Sequence, residues 1–243
     1  MVTVMTERYI RNIPAISAEE QDLLKSKSVI VIGCGGLGGY AIEYLTRLGV
    51  GYITAVDGDA FCESNLNRQL LSSIETLGQS KATAAVARIH AINPEVEAIA
   101  VNEFLTADRA SELVSKVDVV IDALDNVESR LILEDVCEKV NVPIIHGAVQ
   151  GWNLQATVVL PGSRVLHNLY KADSKANSSE SIAHESPDTS LESKTCLCPT
   201  PACCAAIQVS EALKILLGRE SALNGNMLFM DLLTMENYSI PLI

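Results

Sequence analysis

The sequence predicts an α/β fold: a Rossmann-like, doubly wound and mostly parallel sheet with an antiparallel C-terminal extension. Three observations carry that reading. A β-branched run leads through a glycine turn into a helix-patterned stretch and a second strand, SVIVIGCGGLGGYAIEYLTRLGVGYITAVDGD, which is a βαβ unit. Strand and helix patterns then keep alternating to about residue 150, as a parallel sheet requires. Beyond Gly151 the apolar runs LQATVVL and NMLFMDLLTMENYSIPL follow without βα repeats, so the later edge of the sheet should be antiparallel.

Taken in order, residues 1–28 form an N-terminal arm or helix ahead of a first strand from Val29 to Ile32. The glycine turn and its helix lead to the second strand, which ends at Asp57, and a polar stretch FCESNLNRQLLSS follows. A helix from about Lys81 to Ala91 is closed by Asn93 and Pro94, since the residue before a proline is pushed out of helical geometry. Then come a strand from Val96 to Val101, a helix from Ala107 to Ser115 and a strand from Val117 to Ala123. A helix from Val127 to Val140 and a strand from Pro143 to His146 complete the nucleotide-binding part, residues 29–150. In the remaining part, 151–243, the stretch Lys171 to Lys194 is rich in Ser, Ala, Asn, Asp and Glu without periodicity and reads as a mobile loop. A last helix runs from about Pro201 to Leu217, starting at a proline and stopping at Gly218. The whole, 1–243, is one elaborated domain without internal repeats.

Composition narrows the function classes. With 48% apolar residues, 20% charged and a mean hydropathy of +0.23, the chain is globular, and no apolar run is long enough to cross a membrane. A net charge of -12 repels a phosphate backbone and argues against a nucleic-acid partner. The start MVTVMTERYIRN lacks the pattern of a signal peptide, from which a cytoplasmic address follows by default. Of the cysteines, Cys34, Cys62 and Cys137 are scattered and Cys196, Cys198, Cys203 and Cys204 crowd together, a distribution of reduced thiols rather than a disulfide framework.

Gly33, Gly35 and Gly38 spell G-x-G-x-x-G after a strand and at the opening of a helix, where missing side chains let phosphate oxygens reach backbone N–H groups and the helix dipole. Asp57 at the end of the next strand is placed to accept hydrogen bonds from ribose hydroxyls. These features fit NAD, FAD or ATP alike, and the absence of G-K-[ST] excludes an ordinary P-loop. What separates the cofactors lies downstream. Asn65, Asn67, Arg68 and Gln69 fall in NLNRQ, and Lys81 in GQSK. An enzyme that brings a carboxylate against a triphosphate needs such cations to offset repulsion and the charge developing at phosphorus, whereas a dehydrogenase has no evident use for them. Asp125, in ALDN after the strand VDVVIDAL, should emerge at the carboxyl edge of the sheet, a position suited to Mg2+. Asn126, or Asp125 itself, has the alternative task of capping the helix that follows.

RYIRN, GCGGLG, DGDAFCESNLNRQ, GQSK and ALDN with Arg130 together resemble the adenylyltransferases of the MoeB, ThiF and HesA type. The resemblance runs from about Arg8 to Gly162, resumes at QVSEALKILLG and includes NMLFMD. It implies ATP and Mg2+ as cofactors and an acyl-adenylate and pyrophosphate as products. It assigns ribose to Asp57, phosphates to Asn65, Arg68 and Lys81, and the catalytic, magnesium-linked role to Asp125. Gly36, Asp59, Gln69 and Asn126, flanking those motifs, complete the expected nucleotide set. The second arginine of the RYxRQ-like motif, here Arg11, is implied to reach into the nucleotide site of a neighbouring subunit, which makes a homodimer the active form. Read without the resemblance, Arg8 and Arg11 are surface charges on an arm.

The chain departs from the family at its zinc site. Where a first C-x-x-C pair is expected stands His167-Asn168-Leu169-Tyr170, and the chain reaches Ile243 without a second pair, so the family zinc is expected to be absent. Cys196 and Cys198, just before the last helix, are candidate acyl-accepting thiols; Cys203 and Cys204 read as small core residues. The expected partner is a small ubiquitin-like sulfur-carrier protein, or a peptide, with a C-terminal carboxylate, adenylated for sulfur transfer in cofactor or amino-acid biosynthesis. A tRNA threonylcarbamoyladenosine dehydratase-like activation of a small carboxylate is the alternative within the superfamily. An NAD-dependent oxidoreductase and a silent binding scaffold are alternatives of other classes, and both leave NLNRQ, GQSK and ALDN without a task.

Overall fold

Strands whose side chains are apolar on both sides must be covered on both sides, and that rule organises the computed structural model, which describes residues 7–176 and 195–242. In β1 (Ser28–Ile32) Val29 and Val31 face one layer while Ile30 and Ile32 face the other, and all four are buried. The other strands are β2 (Tyr52–Val56), β3 (Glu97–Val101), β4 (Val119–Asp122), β5 (Ile144–Gln150), β6 (Asn153–Val159), β7 (Asn226–Asp231) and β8 (Asn237–Pro241). They form one sheet in the order β3-β2-β1-β4-β5-β6-β7-β8. The first five in that order are parallel, and β6, β7 and β8 each pair antiparallel with the strand before. The expected doubly wound sheet with an antiparallel extension is therefore what the chain forms.

The helices divide between the faces. On one side α2 (Gly36–Leu48), α3 (Lys81–Ile92) and α7 (Pro199–Leu216) cover Val29, Val31, Ile53, Ile121 and Ile145. On the other, α4 (Ala107–Val114), α5 (Val127–Val140) and α6 (Val165–Ala176) cover Ile30, Ile32, Val120 and Ile144. Each such side chain, fully buried, contributes roughly 1.5–3 kcal/mol relative to exposure. Helix α7 comes from the C-terminal part yet lies on the nucleotide part: Gln208 on it donates to the carbonyls of Asp122 (2.8 Å) and Ile145 (3.0 Å). Among the described residues no helix is long and apolar enough to cross a membrane.

Two details differ from expectation, and the N-terminal segment takes one of the forms expected of it. The loop expected from Lys171 begins later, because α6 continues to Ala176; residues 177–194 of that loop lie outside the described residues. Helix α6 owes its start to a distant residue: the buried carboxylate of Glu134, on α5, accepts the backbone N–H groups of Leu166 and His167 at 2.9 Å each. The strand expected to stop at His146 runs on to Gln150 because β6 pairs with it along seven residue positions. The N-terminal segment, taken as an arm or helix, is a 3-10 helix over Glu7–Asn12 followed by α1 (Ala18–Leu24). Buried Tyr9 fastens it, accepting a hydrogen bond from Asn93 Nδ2 at 2.8 Å, and Arg8 donates to the carbonyl of Ile92.

Candidate functional site

The strand order reverses between β1 and β4, and the connections leaving their carboxyl ends part to opposite faces, the place where doubly wound sheets bind ligands. A cleft of about 980 Å3 opens there. Gly33, Gly35 and Gly36 line it, with α2 starting at Gly36. Gly33 has φ +96°, and a Cβ on it would stand 2.6 Å from the Ala123 carbonyl oxygen, so only glycine makes this turn. Gly38 does a different job. It is buried away from the cleft, and a Cβ there would sit 1.7 Å from the Gly33 carbonyl oxygen; its bareness lets α2 lie against the turn.

On the β2 side, Asp57 closes the turn from within. One of its carboxylate oxygens accepts the N–H of Cys34 at 2.7 Å and the other that of Asp59 at 2.8 Å, leaving lone pairs directed at the cleft it lines. Lys81 begins α3; its largely buried ammonium is held by Asp59 at 2.9 Å, and both residues line the cleft. Arg68 is steadied by the Ser64 carbonyl and the Asn67 side-chain oxygen, each at 2.9 Å, and turns a partly exposed guanidinium to the same space. Gln69 is buried beside Gly35, and its Oε1 has no hydrogen-bond partner within the chain. Asn65 stands apart from these: it is buried outside the cleft lining, and its Oδ1 accepts the N–H of Cys62 at 3.0 Å, which shapes the loop that carries Arg68 and Gln69.

On the β4 side, Asn126 caps α5, its Oδ1 accepting the N–H of Ser129 at 2.9 Å. The capping alternative thus belongs to Asn126, and the Asp125 carboxylate stays exposed at the cleft. Around this turn lies a group of polar residues of which motif reading found only Arg130; Arg130 and Tyr170 line the cleft, and the other two lie behind it. Asp122 and His146 are fully buried and joined at 2.7 Å (Oδ2 to Nδ1), with Arg130 and Tyr170 alongside. Their signal in the sequence was slight: an aspartate and a histidine, each at the carboxyl side of an apolar strand, that become Cα partners in the β4–β5 register. Phe104 was also missed; its ring, 69% exposed, lines the cleft and leans on the backbone at Gly58 next to Asp57.

Two other expectations separate. Of the candidate thiols, Cys196 lines the cleft, held by a backbone bridge to Gly151 and by Asn67 donating to its carbonyl at 3.2 Å. Burial pushes the Cys196 thiol up, while neighbouring Arg68 acts the other way. Cys198 is exposed outside the cleft lining, its Sγ 2.9 Å from the Tyr40 hydroxyl. Cys204 is buried in the core, as anticipated, and Cys203 is half-buried beside it. Arg11 is exposed and does not line its own chain's cleft. His167, at the site of the missing C-x-x-C pair, is bonded through Nδ1 to Glu134 at 2.5 Å, and no group of three or more metal-ligating side chains occurs among the described residues.

The lining therefore combines bare backbone at a helix N-terminus, an ammonium, the guanidinium groups of Arg68 and Arg130, an unpartnered amide oxygen and exposed carboxylates, of which Asp59 and Glu103 are ion-paired to Lys81 and Arg109 while Asp125 has no ion pair among the described residues. Polyphosphate suits the first three, and a hydrated divalent cation suits the last two.

Comparison with known proteins agrees with this chemistry. The ThiF family model matches residues 7–242. The chain is 34% identical to the SAMP-activating enzyme E1 of Haloferax volcanii over 97% of its own length and 84% of that protein's. It is 32% identical to the sulfur carrier protein adenylyltransferase of Thermus thermophilus, covering 93% of this chain and 83% of the other. In fold it is similar to the crystal structure of PaaA, with a TM-score of 0.80 at 22% identity over 100% of this chain and 86% of that one.

Proposed function

This chain belongs to the ThiF family, and from that premise we propose that it is an ATP-dependent adenylyltransferase acting on the C-terminal carboxylate of a small ubiquitin-like sulfur carrier. Its relatives named for activating SAMP and for adenylating a sulfur carrier protein, at 34% and 32% identity, support that substrate class. A carboxylate oxygen of the carrier forms a bond to the α-phosphorus of ATP, the bond to the bridging oxygen breaks, and pyrophosphate leaves with that electron pair.

The observation that carries the reading is one cleft lined on one wall by Arg68 and Lys81 and on the other by an exposed Asp125 that no helix cap engages. In this reading Gly33, Gly35 and Gly36 cradle the phosphates and Asp57 the ribose. Phe104 offers its ring to the base, a contact worth about 1–3 kcal/mol. Lys81, already aligned by Asp59, and Arg68 stabilise charge developing on the phosphates. Asp125 would hold Mg2+ through its exposed carboxylate, and Gln69, whose Oε1 has no partner within the chain, stands beside Gly35 on the phosphate side. Magnesium, when bound there, would neutralise part of the charge on the phosphates. Arg11, exposed and outside its own cleft, serves the site of a second copy. If the acyl group passes from the adenylate to a protein thiol, with AMP leaving, lining of the cleft favours Cys196 over Cys198 for the role, although burial holds its thiol up and Arg68 only partly opposes that.

Carrier-dependent ATP–pyrophosphate exchange, measured with a panel of small sulfur-carrier proteins ending in Gly-Gly, tests this. Wild type should exchange with at least one, and Asp125→Ala should lose about a hundredfold or more of the rate while melting like the wild type. Undiminished exchange in that variant removes Asp125 from the mechanism; exchange stimulated by tRNA in place of any carrier moves the substrate class.

A further inference from the structure

Asp122 and His146, buried behind the cleft, and Arg130 and Tyr170, which line it, have no role in the nucleotide contacts proposed above, and their geometry converges on one residue. Leu124, which directly precedes Asp125, has both backbone polar groups held by charged side chains: its N–H donates to Asp122 Oδ1 at 3.0 Å, and its carbonyl accepts from Arg130 Nη2 at 2.5 Å. Asp122 is fixed in turn. Its other carboxylate oxygen meets His146 Nδ1 at 2.7 Å and lies 3.7 Å from Arg130 Nε, while its backbone carbonyl accepts from Gln208 on α7. Arg130 is fixed from the far side by α6, where the Tyr170 hydroxyl accepts from Nη1 at 2.8 Å and its ring centroid lies 5.7 Å from the guanidinium carbon. The same hydroxyl stands 3.4 Å from His146 Nε2, which closes the circuit.

Such an arrangement is costly as mere filling. Asp122 and His146 are fully buried, and the Arg130 side chain is only 10% exposed. Buried ionisable groups are often replaceable by apolar residues of similar volume with no loss of stability, so stability alone does not account for Asp122, His146 and Arg130 together. What they achieve that apolar residues cannot is to grip both the donor and the acceptor of one peptide at the mouth of the site.

We propose that Asp122, His146, Arg130 and Tyr170 are positioning residues that clamp the Leu124 peptide and thereby aim the Asp125 carboxylate at the metal on the nucleotide. None of the four needs to touch the reacting atoms. The inference rests on the assignment of Asp125 to Mg2+, and its test separates the two. A further consequence is that α6, a helix of the C-terminal part, reaches the metal side of the nucleotide site through Tyr170.

The experiment is equilibrium ATP binding to the full chain, with and without Mg2+, for wild type, Asp125→Ala, Arg130→Lys and Tyr170→Phe. The ratio of the two affinities isolates the metal-linked part of binding. Asp125→Ala should abolish the gain that Mg2+ gives. Tyr170→Phe, which keeps the ring on Arg130 and removes only the hydroxyl, should cut that gain about three- to tenfold, the size of a typical net hydrogen bond. Arg130→Lys should cut it further, and both should leave metal-free ATP affinity within about twofold, because uniform weakening is what general loosening of the site would produce. If Arg130→Lys does not fold, Tyr170→Phe decides alone. A full Mg2+ gain in Tyr170→Phe, or a proportionate loss of both affinities, overturns the clamp while leaving Asp125 in its role. A full gain in Asp125→Ala overturns both.

Discussion

The two parts of the sheet are built to opposite specifications. Strands β1 and β4 are covered on both faces, and the turns that leave them are fixed by backbone: a glycine against the Ala123 carbonyl on one side, a doubly held Leu124 peptide on the other. Strand β8 has every residue exposed, and its Tyr238 stacks at 5.4 Å on Phe229, whose other neighbour is the cleft itself. The contrast teaches a division of labour. Chemistry that tolerates little displacement sits where the backbone is clamped from several directions, and recognition of a partner has room where one face of the sheet is bare.

That comparison is breakable, and the heaviest blow falls on packing. Gly38→Ala places a methyl group on the Gly33 carbonyl oxygen and should cost about 3 kcal/mol or more in a urea melt, whereas Tyr238→Ala, on the open part, should stay within about 0.5 kcal/mol of wild type. Equal losses would mean the two parts do not differ in rigidity as described. Next in size is the assignment of Arg11 to a neighbouring copy. Arg11→Ala and Asp125→Ala should each be nearly inactive alone, yet co-refolded in equal amounts they should regain about a quarter of the wild-type exchange rate, since half of the dimers then carry one intact site. No regain places Arg11 outside the shared site.

Smaller effects sharpen the contrast. Tyr238→Ala should raise the carrier KM about tenfold, as loss of an exposed aromatic anchor does, with ATP affinity unchanged. An unaltered carrier KM would direct attention away from the β7–β8 face. The smallest expected effect concerns thiols. A hydrogen bond from the Ser64 side chain pulls the exposed Cys62 thiol down, and burial pushes Cys196 up. At pH 7.5 iodoacetamide should therefore modify Cys62 several-fold faster, and the gap should narrow as pH rises and Cys196 also becomes thiolate. Mass-mapped labelling at two pH values reads this directly, and faster labelling at Cys196 would argue for a thiol activated within the cleft.

Most of the nucleotide part is legible in the sequence because its signals are local. The β-branched runs, the glycine turn, Ser80 and Asn126 as caps, and Asn93 before Pro94 each lie within a few residues of the structure they specify. For the same reason Arg68, Lys81 and Asp125, read from short motifs, prove to share one cleft. Helix α6 is illegible for the opposite reason. No capping side chain precedes it, Arg164 before it sits at φ 53°, and the carboxylate that receives its first N–H groups belongs to Glu134 on another helix. Asp122 and His146 are likewise joined only by the register of two strands. A single aspartate within an apolar run is a hint of such pairing, but its partner is not named by any spacing along the chain.

The position of α7 has a consequence for how the chain can be divided and made. One face of the nucleotide part is roofed by a helix that ends only at Leu216, with Gln208 bonded to β4 and β5 carbonyls. A fragment ending near Gly151 would keep every nucleotide motif and lose that roof, exposing the apolar surface around Ile145 and Ile121 to water. During synthesis the phosphate-binding turn emerges well before its support, which arrives only with Pro199–Leu216, so the two parts reach their finished form together.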